Sequence, residues 1–523
     1  MKITKETEKK DTEFNYMSYE KLTTQDKLKI TTLKDLMDSG YQPKAVKEEL
    51  RQNLIKKMKA GENVFEGIWG YEETVIPDIQ RAILSRHNIN LLGLRGQAKT
   101  RIARMMTLLL DEYIPVLKGT ELNDDPMQPL SRQALDILEE KGNDASVAWM
   151  HRSERYTEKL ATPDVSVADL IGDVDPIKAA TLKLPYSDER VIHYGLIPRS
   201  HRGIFVINEL PDLQARIQVA LFNILQEGDI QIRGFKLRLP LDLQFVFTAN
   251  PEDYTNRGSI ITPLKDRIDA QIITHYPENI EIGRKITTQE AAIKNEQNAV
   301  VELNELSKDL IEQIAIEARN SEYIDEKSGV SARLTISAYE SLVSAAERRS
   351  LINKEQKVFV RMSDFTGVIP AITGKVELVY EGEQEGPGIV AQTLVGKAIR
   401  SQFDKYFPNP EELRKDREKK NPYRTISKWF NDGKKIDLFH DDNEKEYRKK
   451  LESIPGLKDL VLTHHKELNE KETYFMMEFA LHGMAEYSLL SKHALASGHS
   501  FKDLLSSMLN FEDSSDENED FNN

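Results

Sequence analysis

Three short apolar runs, separated by amphipathic helical patterns, occupy the middle of the chain. They read INLLGL (89–94), GIFVI (203–207) and LQFVFTA (243–249). Short, predominantly apolar runs of this length are typical of strands that are buried on both faces of a parallel sheet. The region from Phe65 to Pro277 is therefore predicted to be an α/β fold, a largely parallel sheet with flanking helices.

Helical periodicity marks the chain on both sides of this region. Residues 1–62 are lysine-rich with apolar residues at helical spacing, and the clearest helix of the chain follows Ser331. The predicted organisation is an N-terminal helical arm (1–62), an α/β domain (63–277) with a helical insertion near 118–160, a helical lid (278–395), a helical C-terminal extension (396–510) and an acidic disordered tail (511–523).

Length and composition are those of a soluble globular protein. The chain has 523 residues, of which 39% are hydrophobic and 30% charged. That is enough for about three domains of the usual size. No apolar run approaches the ~18–20 residues of a membrane span, so no membrane-spanning helix is expected. The N-terminal MKITKETEKKDTEF has no apolar segment typical of a secretory signal, and there are 0 cysteines, so we predict a cytoplasmic protein.

The charge distribution bears on possible ligands. The net charge is −14, and the final FEDSSDENEDFNN has acidic but no basic residues. Because nucleic-acid binding depends on basic contacts with phosphates, no nucleic-acid partner is expected. With 0 cysteines and 11 scattered histidines, no cluster has the spacing of a zinc or iron site. Any metal should therefore arrive with a nucleotide.

The stretch LLGLRGQAKTR (91–101) is close to a phosphate-binding loop, G-x-x-x-x-G-K-[ST]. It follows an apolar strand and opens a predicted helix, as such a loop requires. Backbone N–H groups of 95–100 would then surround a β-phosphate, Lys99 would meet the β/γ oxygens and the Thr100 hydroxyl would hold Mg²⁺. Ala98 stands where the pattern has its second glycine, and we expect it to fit only with a negative φ.

A second motif, GIFVINELPDL (203–213), ends a buried strand with Asn208 and Glu209. A carboxylate at this place can orient or deprotonate an attacking water, so Glu209 is the candidate. Asn208 can accept a hydrogen bond from a magnesium-bound water, but it adds no negative charge. By itself, a buried strand that ends in polar residues is an equally good interpretation.

The third region, 228–253, predicts a β-hairpin around Arg233-Gly234 and then a strand that ends before Asn250. Asn250 could bind a water near a γ-phosphate, although a turn asparagine is the simpler interpretation. Arg267, in TPLKDRID, and Arg333, in SARLTIS, could stabilise the charge of a phosphoryl-transfer transition state. Each arginine alone is more often a surface ion-pair residue.

The order of these motifs resembles the AAA+ ATPases, in the branch of the MoxR proteins and magnesium chelatase subunit I. The matching segments are IWGY (68–71), GLRGQAKT, VINE, the hairpin, TANP, KDRID and SARLT, and the resemblance spans roughly 65–395. It implies a P-loop AAA+ core that binds ATP and Mg²⁺. Family members usually have aspartate where this chain has Asn208, which bears on the rate of hydrolysis more than on ATP binding.

The resemblance also implies roles for individual residues. Ile68, Trp69, Gly70 and Tyr71 would line the adenine pocket, and the nucleotide phosphates would lie against Gly93, Arg95, Gly96, Gln97, Ala98, Lys99, Thr100 and Arg101. Thr100 and Asn208 would face Mg²⁺, with Glu209 beside them. Asn250 would be the first sensor, Arg333 the second sensor, and Arg267 a finger that reaches into a neighbouring subunit.

A finger shared between subunits implies a homo-oligomeric ring. ATPases of this branch act with a von Willebrand-A-type partner that carries a metal-dependent adhesion site. This chain has no such site of its own, because DVSVA (164–168) lacks the second serine of D-x-S-x-S.

Three functions remain open on these grounds. The first is an ATP-hydrolysing ring motor that remodels a partner protein or assists its metal loading. The second is a true magnesium chelatase ATPase subunit, and the third is a nucleotide-gated scaffold with weak hydrolysis, which Asn208 suggests. An enhancer-binding transcription activator is disfavoured because the G-A-F-T-G-A loop is absent and the tail is acidic.

Overall fold

The computed structural model describes residues 19–186, 188–228, 230, 239–251, 259–415, 421–495 and 497–504. The chain forms two compact units. The first comprises Met1–Gly93 and Ala98–Thr274, and the second comprises Leu94–Gln97 and His275–Asn523. Within the described residues, no helix is both long and apolar enough to cross a membrane.

Strands and helices alternate through the first unit. Its strands are β1 (Ile89–Leu92), β2 (Tyr113–Leu117), β3 (Val147–His151), β4 (Tyr156–Leu160), β5 (Gly172–Val174), β6 (Ile192–Tyr194), β7 (Gly203–Asn208), β8 (Leu243–Ala249) and β9 (Ala270–Ile273). Its helices are α1 (Thr24–Leu28), α2 (Leu33–Asp38), α3 (Val46–Ala60), α4 (Val75–Leu84), α5 (Lys99–Met105), α6 (Arg132–Lys141), α7 (Val167–Leu170), α8 (Pro176–Leu182), α9 (Leu196–Arg199), α10 (Ala215–Glu227) and α11 (Thr262–Lys265).

A five-stranded sheet in the order β4-β7-β8-β1-β9 forms the centre of the first unit, and all of its pairings are parallel. The three apolar runs are β1, β7 and β8, which confirms the predicted sheet. Along β7, Ile204 and Val206 pack in one apolar cluster while Phe205 and Ile207 pack in another. The sheet is therefore covered on both faces. Since parallel strands end at the same edge, the residues after β1, β7 and β8 lie side by side.

The predicted N-terminal arm does not form a separate domain. Apolar residues of α3, among them Leu50, pack in the same cluster as β1. Glu49 of α3 forms an ion pair with Arg155 at 2.6 Å, and both side chains are almost fully buried. The boundary predicted at 62 is therefore wrong, because the arm contributes to the core of the first unit. Residues 1–18 lie outside the described part of the chain.

The prediction of a helical insertion near 118–160 is correct only for α6. The same segment contains β3, which pairs antiparallel with β2, and β4, which is an outer strand of the central sheet. β4 has the sequence YTEKL and is mostly half-buried. An outer strand needs no continuous apolar run, so the apolar pattern did not reveal it.

Helices dominate the second unit. They are α12 (Ile280–Glu290), α13 (Asn295–Val300), α14 (Glu305–Arg319), α15 (Arg333–Asn353), α16 (Ile369–Thr373), α17 (Tyr380–Glu385), α18 (Pro387–Tyr406), α19 (Pro410–Lys415), α20 (Arg424–Asn431), α21 (Glu444–Glu452), α22 (Leu457–His464) and α23 (Glu470–Glu486). Its strands are β10 (Val301–Glu302), β11 (Val358–Phe359), β12 (Ile436–Phe439), β13 (Ser491–Leu495) and β14 (Gly498–Lys502).

The predicted lid and C-terminal extension share one core. A single apolar cluster extends from Val301 to Phe501, and the boundary predicted at 395 falls inside α18. α18 packs tightly on α23, since a Cβ atom added at Gly483 would lie 2.0 Å from the Phe403 ring. The extension also contains an antiparallel sheet in the order β12-β14-β13, so it is not wholly helical. The predicted hairpin tip around 233–234 and the acidic tail lie outside the described residues.

Candidate functional site

Three of the predicted site residues form a hydrogen-bonded chain at the carboxyl edge of the central sheet. The Lys99 ammonium, at the start of α5, donates to the Gly93 carbonyl and to Asn250 Oδ1, the latter at 2.7 Å. Asn250 Nδ2 donates to Glu209 Oε2 at 2.6 Å. The Lys99 side chain is buried. The ends of β1, β7 and β8 therefore bring together a cation, an amide and a carboxylate.

Thr100 and Asn208 lie next to this chain. The Thr100 hydroxyl donates to Asn208 Oδ1 at 3.4 Å, and the Thr248 hydroxyl donates to the same oxygen at 3.2 Å. Thr248 Oγ1 also accepts a hydrogen bond from the Glu209 backbone N–H at 3.1 Å. The amide oxygen of Asn208 thus faces the hydroxyl group predicted to hold Mg²⁺.

Glu158 is a residue of this site that the sequence analysis missed. It lies on β4, and its Oε1 accepts a hydrogen bond from Asn208 Nδ2 at 2.5 Å. Its other oxygen accepts from Arg104 and from the Tyr156 hydroxyl, each at 3.0 Å. Burial, followed by the charge of Glu158, raises the pKa of Tyr156 above its ordinary value, so the phenol is a neutral donor. In the sequence, only the asparagine at 208, where the family usually has aspartate, could have indicated that another residue supplies the carboxylate.

Two non-glycine residues near this site, Ala98 and Glu209, adopt left-handed backbone conformations. Ala98 has φ 57°, which contradicts the expectation that it would keep a negative φ. Glu209 has φ 55°. A non-glycine residue in this region costs of order 1–3 kcal/mol and persists only when surrounding contacts hold it. The loop keeps the glycine-like backbone at 98, and the alanine side chain is accommodated with strain.

Arg95 and Gly96 belong to the second unit, where they contact the lid segment. The Arg95 guanidinium pairs with Glu377 at 2.5 Å, and the Tyr276 hydroxyl donates to the Arg95 carbonyl at 3.0 Å. Gly96 has φ 72°, and a Cβ atom there would lie 2.1 Å from Ser331 Oγ. Glycine is therefore required at 96 both for conformation and for space. Gln97 is buried.

The remaining residues predicted to contact a nucleotide have different environments. Ile68 and Tyr71 are buried in the cluster that also contains β1, whereas Trp69 is 38% exposed. Gly70 has φ 82°. Arg101 is exposed on α5. Their roles stay predictions.

The two arginines are not members of the strand-edge network. Arg267 follows α11, donates to Gln226 Oε1 at 3.1 Å and to the Pro263 carbonyl at 2.8 Å, and lies 4.9 Å from the Phe222 ring. Its side chain is therefore folded onto α10 of its own unit. Arg333 is the first residue of α15 in the second unit, and its side chain is exposed.

The sequence was compared with known proteins. No protein-family model matches it. The magnesium-chelatase 38 kDa subunit of Cereibacter sphaeroides is 24% identical over 220 residues, which cover 40% of this chain and 58% of the relative. The chain thus spans less than two thirds of the length of this relative.

The chain was also matched to solved structures, with low superposition scores. A model of the complex between subunits BchI and BchD of magnesium chelatase gives a TM-score of 0.31 at 18% identity, covering 61% of this chain and 97% of that one. A variant of RuvB from Thermotoga maritima gives 0.30 at 12% identity, covering 62% and 67%. In its motif order and in its sequence match to the chelatase subunit, this chain is similar to the AAA+ ATPases of the MoxR and magnesium chelatase subunit I type.

Proposed function

We propose that this protein binds and hydrolyses ATP at the carboxyl edge of the central sheet. The observation that carries the proposal is the chain of hydrogen bonds from Lys99 through Asn250 to Glu209. It places a phosphate-binding cation and a carboxylate on either side of one amide. Parallel α/β sheets bind ligands at this edge, in front of the strand ends.

Lys99 and the N-terminus of α5 would hold the phosphates. Lysine binds phosphate as a point charge, and the backbone N–H groups at a helix N-terminus favour the same anion. The Lys99 ammonium donates to the neutral oxygens of Gly93 and Asn250. A phosphate oxygen would be a stronger partner, because a charge-assisted hydrogen bond between two ions is stronger than one to a neutral acceptor.

The residues around Asn208 fit Mg²⁺. Hard cations prefer oxygen ligands and keep several waters, and here a hydroxyl and an amide oxygen face each other at 3.4 Å. When bound, Mg²⁺ neutralises charge on the β- and γ-phosphates. Thr100 would contact the ion through its hydroxyl group, and Asn208 would contact it directly or through a bound water.

Glu209 would orient or deprotonate the attacking water. Its carboxylate is held by Asn250 at 2.6 Å, and its backbone is held by Thr248. The left-handed conformation at Glu209 turns the chain sharply at the end of β7 and presents the side chain at the sheet edge. Asn250 then has two tasks, since it contacts both the lysine and the base.

Glu158 would act as a positioning residue for Asn208. By accepting from the amide nitrogen, it keeps the amide oxygen directed at Thr100. It also supplies the negative charge that an aspartate at 208 would carry, one strand further along the sheet. Such partners behind a ligand commonly fix its orientation and basicity.

The wider assignment is an oligomeric ring motor in which Arg267 acts on the nucleotide of a neighbouring subunit and Arg333 acts as a second sensor. Such a ring would be cytoplasmic, and it would remodel a von Willebrand-A-type partner or assist its metal loading. A chelatase ATPase subunit is the narrower candidate, and it is supported by the name of the relative from Cereibacter sphaeroides. A scaffold with weak hydrolysis is the second candidate, and Asn208 favours it.

The test of ATP binding is the Lys99→Ala variant. We expect it to lose binding of a fluorescent ADP analogue and to lose phosphate release, because the Lys99 ammonium is the point charge proposed to meet the β/γ oxygens. Lys141→Ala, at an exposed position on α6, is the matched control and should behave as the wild type. Unchanged nucleotide affinity and turnover in Lys99→Ala would contradict the proposal.

A further inference from the structure

Three histidines lie side by side in the second unit. They are His440, which follows β12, His482 on α23 and His499 on β14. The ring centroids of His482 and His499 are 5.1 Å apart, and those of His440 and His499 are 6.0 Å apart. All three line a cavity of about 440 Å³, which is within the usual range for small-molecule sites.

Buried ring nitrogens in this cluster have no hydrogen-bond partner among the described residues. His482 is 2% exposed, and neither of its nitrogens is bonded. His440 Nε2 and His499 Nδ1 are also buried and unbonded. Glu478 Oε1 is 3.9 Å from His482 Nε2, which is too long for a hydrogen bond. Such groups are costly to bury, and native proteins almost always pair them.

All three imidazoles are neutral at pH 7. Burial is the largest cause in each case: it lowers the pKa of His499 to about 4, that of His482 well below its ordinary value, and that of His440 below its ordinary value. A neutral imidazole has one N–H donor and one acceptor nitrogen. The cluster therefore offers donors to a ligand without bringing a positive charge of its own.

The rest of the cavity wall is mostly apolar, with one cation. Its apolar lining includes the side chains of Met362, Phe365, Ile369, Val395 and Ile399. Lys492 also lines it, and its ammonium is paired with Glu486 at 2.6 Å. The positive charge of Lys492 acts on both His482 and His499. An apolar body and an acceptor head group would match this wall.

A metal ion matches the cavity less well. Within the described ranges, no group of three His, Cys, Asp or Glu side chains is placed to hold one. The ammonium of Lys492 would also repel a cation. The oxygens of Glu478, which lies 3.9 Å from His482, already accept from the Met362 and Ser363 N–H groups and from the Tyr447 hydroxyl.

We propose that this cavity binds a small organic carboxylate. Its apolar body would pack on the methionine, phenylalanine and aliphatic wall, and its carboxylate would accept hydrogen bonds from His482 and His499 near Lys492. None of the residues that line this cavity belongs to the proposed ATPase site. It would make the C-terminal part of the protein a ligand-binding module.

The experiment titrates the full-length protein with octanoate and with phenylacetate, an aliphatic and an aromatic probe, by isothermal calorimetry. We expect at least one probe to bind with one-to-one stoichiometry and the corresponding amide to bind at least tenfold more weakly. His482→Leu should reduce the affinity at least tenfold. His493→Leu is the control, since His493 lies on β13 and bonds to Ser491 without lining the cavity.

A second measurement does not depend on the folding of a variant. In wild-type protein labelled with ¹⁵N-histidine, the bound probe should shift the resonances of the buried imidazoles and leave that of His493 unchanged. Absence of binding by both probes would overturn the proposal. Equal binding of acid and amide would also overturn it, as would stoichiometric Zn²⁺ or Ni²⁺ binding that is lost in His482→Leu.

Discussion

The pairing of Asn208 with Glu158 predicts that Asn208→Asp is harmful by itself and beneficial in combination with Glu158→Gln. In the wild type the amide nitrogen lies 2.5 Å from the Glu158 carboxylate. An aspartate at 208 would replace this hydrogen bond by a contact between two carboxylates. In the double variant the amide and the carboxylate are exchanged, so the hydrogen bond returns and the negative charge moves next to Thr100.

The magnitude follows from the geometry. Two unit charges about 3 Å apart repel by roughly 5 kcal/mol at an effective dielectric constant of about 20. Glu158 is 25% exposed and pairs with Arg104 at 3.0 Å, and both features reduce the repulsion. We therefore expect Asn208→Asp to lower the free energy of unfolding by about 2–3 kcal/mol, and the double variant to return to within about 1 kcal/mol of the wild type.

The assay is urea unfolding of the wild type, both single variants and the double variant, in a Trp429→Phe background. The remaining tryptophans, Trp69 and Trp149, then report on the first unit alone. Phosphate release is measured in parallel as a function of Mg²⁺ concentration. We expect turnover at low Mg²⁺ to rise only in the double variant, because only there does a carboxylate face Thr100 without a second one beside it.

Two results would refute this reasoning. One is a single Asn208→Asp variant that is as stable as the wild type, which would mean that Glu158 does not control the environment of residue 208. The other is additivity, in which the double variant loses the sum of the two single effects. Glu158→Gln alone should cost about 1 kcal/mol or less, because a glutamine oxygen can still accept from the Asn208 amide.

Three further predictions concern other parts of the molecule. Ala98→Gly should raise the free energy of unfolding, measured in urea, by up to about 1 kcal/mol, since relief of the strain at φ 57° is partly offset by the larger backbone entropy that glycine loses on folding. An Ala98→Val variant as stable as the wild type would contradict this reasoning. Glu209→Gln and Arg267→Ala should each be inactive in phosphate release, but a mixture should recover activity, because an Arg267→Ala subunit keeps its own base and can use the arginine of a Glu209→Gln neighbour. An arginine finger is worth ~10³–10⁵ in rate, so a few such interfaces should be detectable. If assemblies shown by native mass spectrometry to contain both chains do not recover, Arg267 has only a structural role through its contacts with Gln226 and Phe222. Burial raises the pKa of Glu312 to about 7, so its contribution to the free energy of unfolding is complete below pH about 4.5 and is lost as the pH rises through 7. Glu312→Gln should remove roughly 3 kcal/mol of that pH dependence. An unchanged pH profile of unfolding in the variant would show that Glu312 does not titrate in this range.

Local pattern by itself determined the centre of the fold and most of the strand-edge residues. β1, β7 and β8 are predominantly apolar because both of their faces are covered, and burial on both faces produces runs of consecutive apolar residues in the sequence. Once those strands are parallel, their ends must meet at one edge, so Lys99, Asn208, Glu209 and Asn250 could be expected together. The order of the motifs also sufficed to indicate the relationship with AAA+ ATPases.

What the pattern could not determine depends on residues that are distant in sequence. The register of β4 beside β7 is what places Glu158 against Asn208, and a half-polar outer strand carries too weak a periodicity to be recognised. The φ of Ala98 is imposed by the loop and overrides the preference of alanine. The three histidines of the second unit lie just after β12, on α23 and on β14, and only the packing of that unit brings the ring of His499 to 5.1 Å from that of His482 and 6.0 Å from that of His440. Periodicity reports whether a side chain is buried, whereas tertiary packing alone decides which side chains it meets.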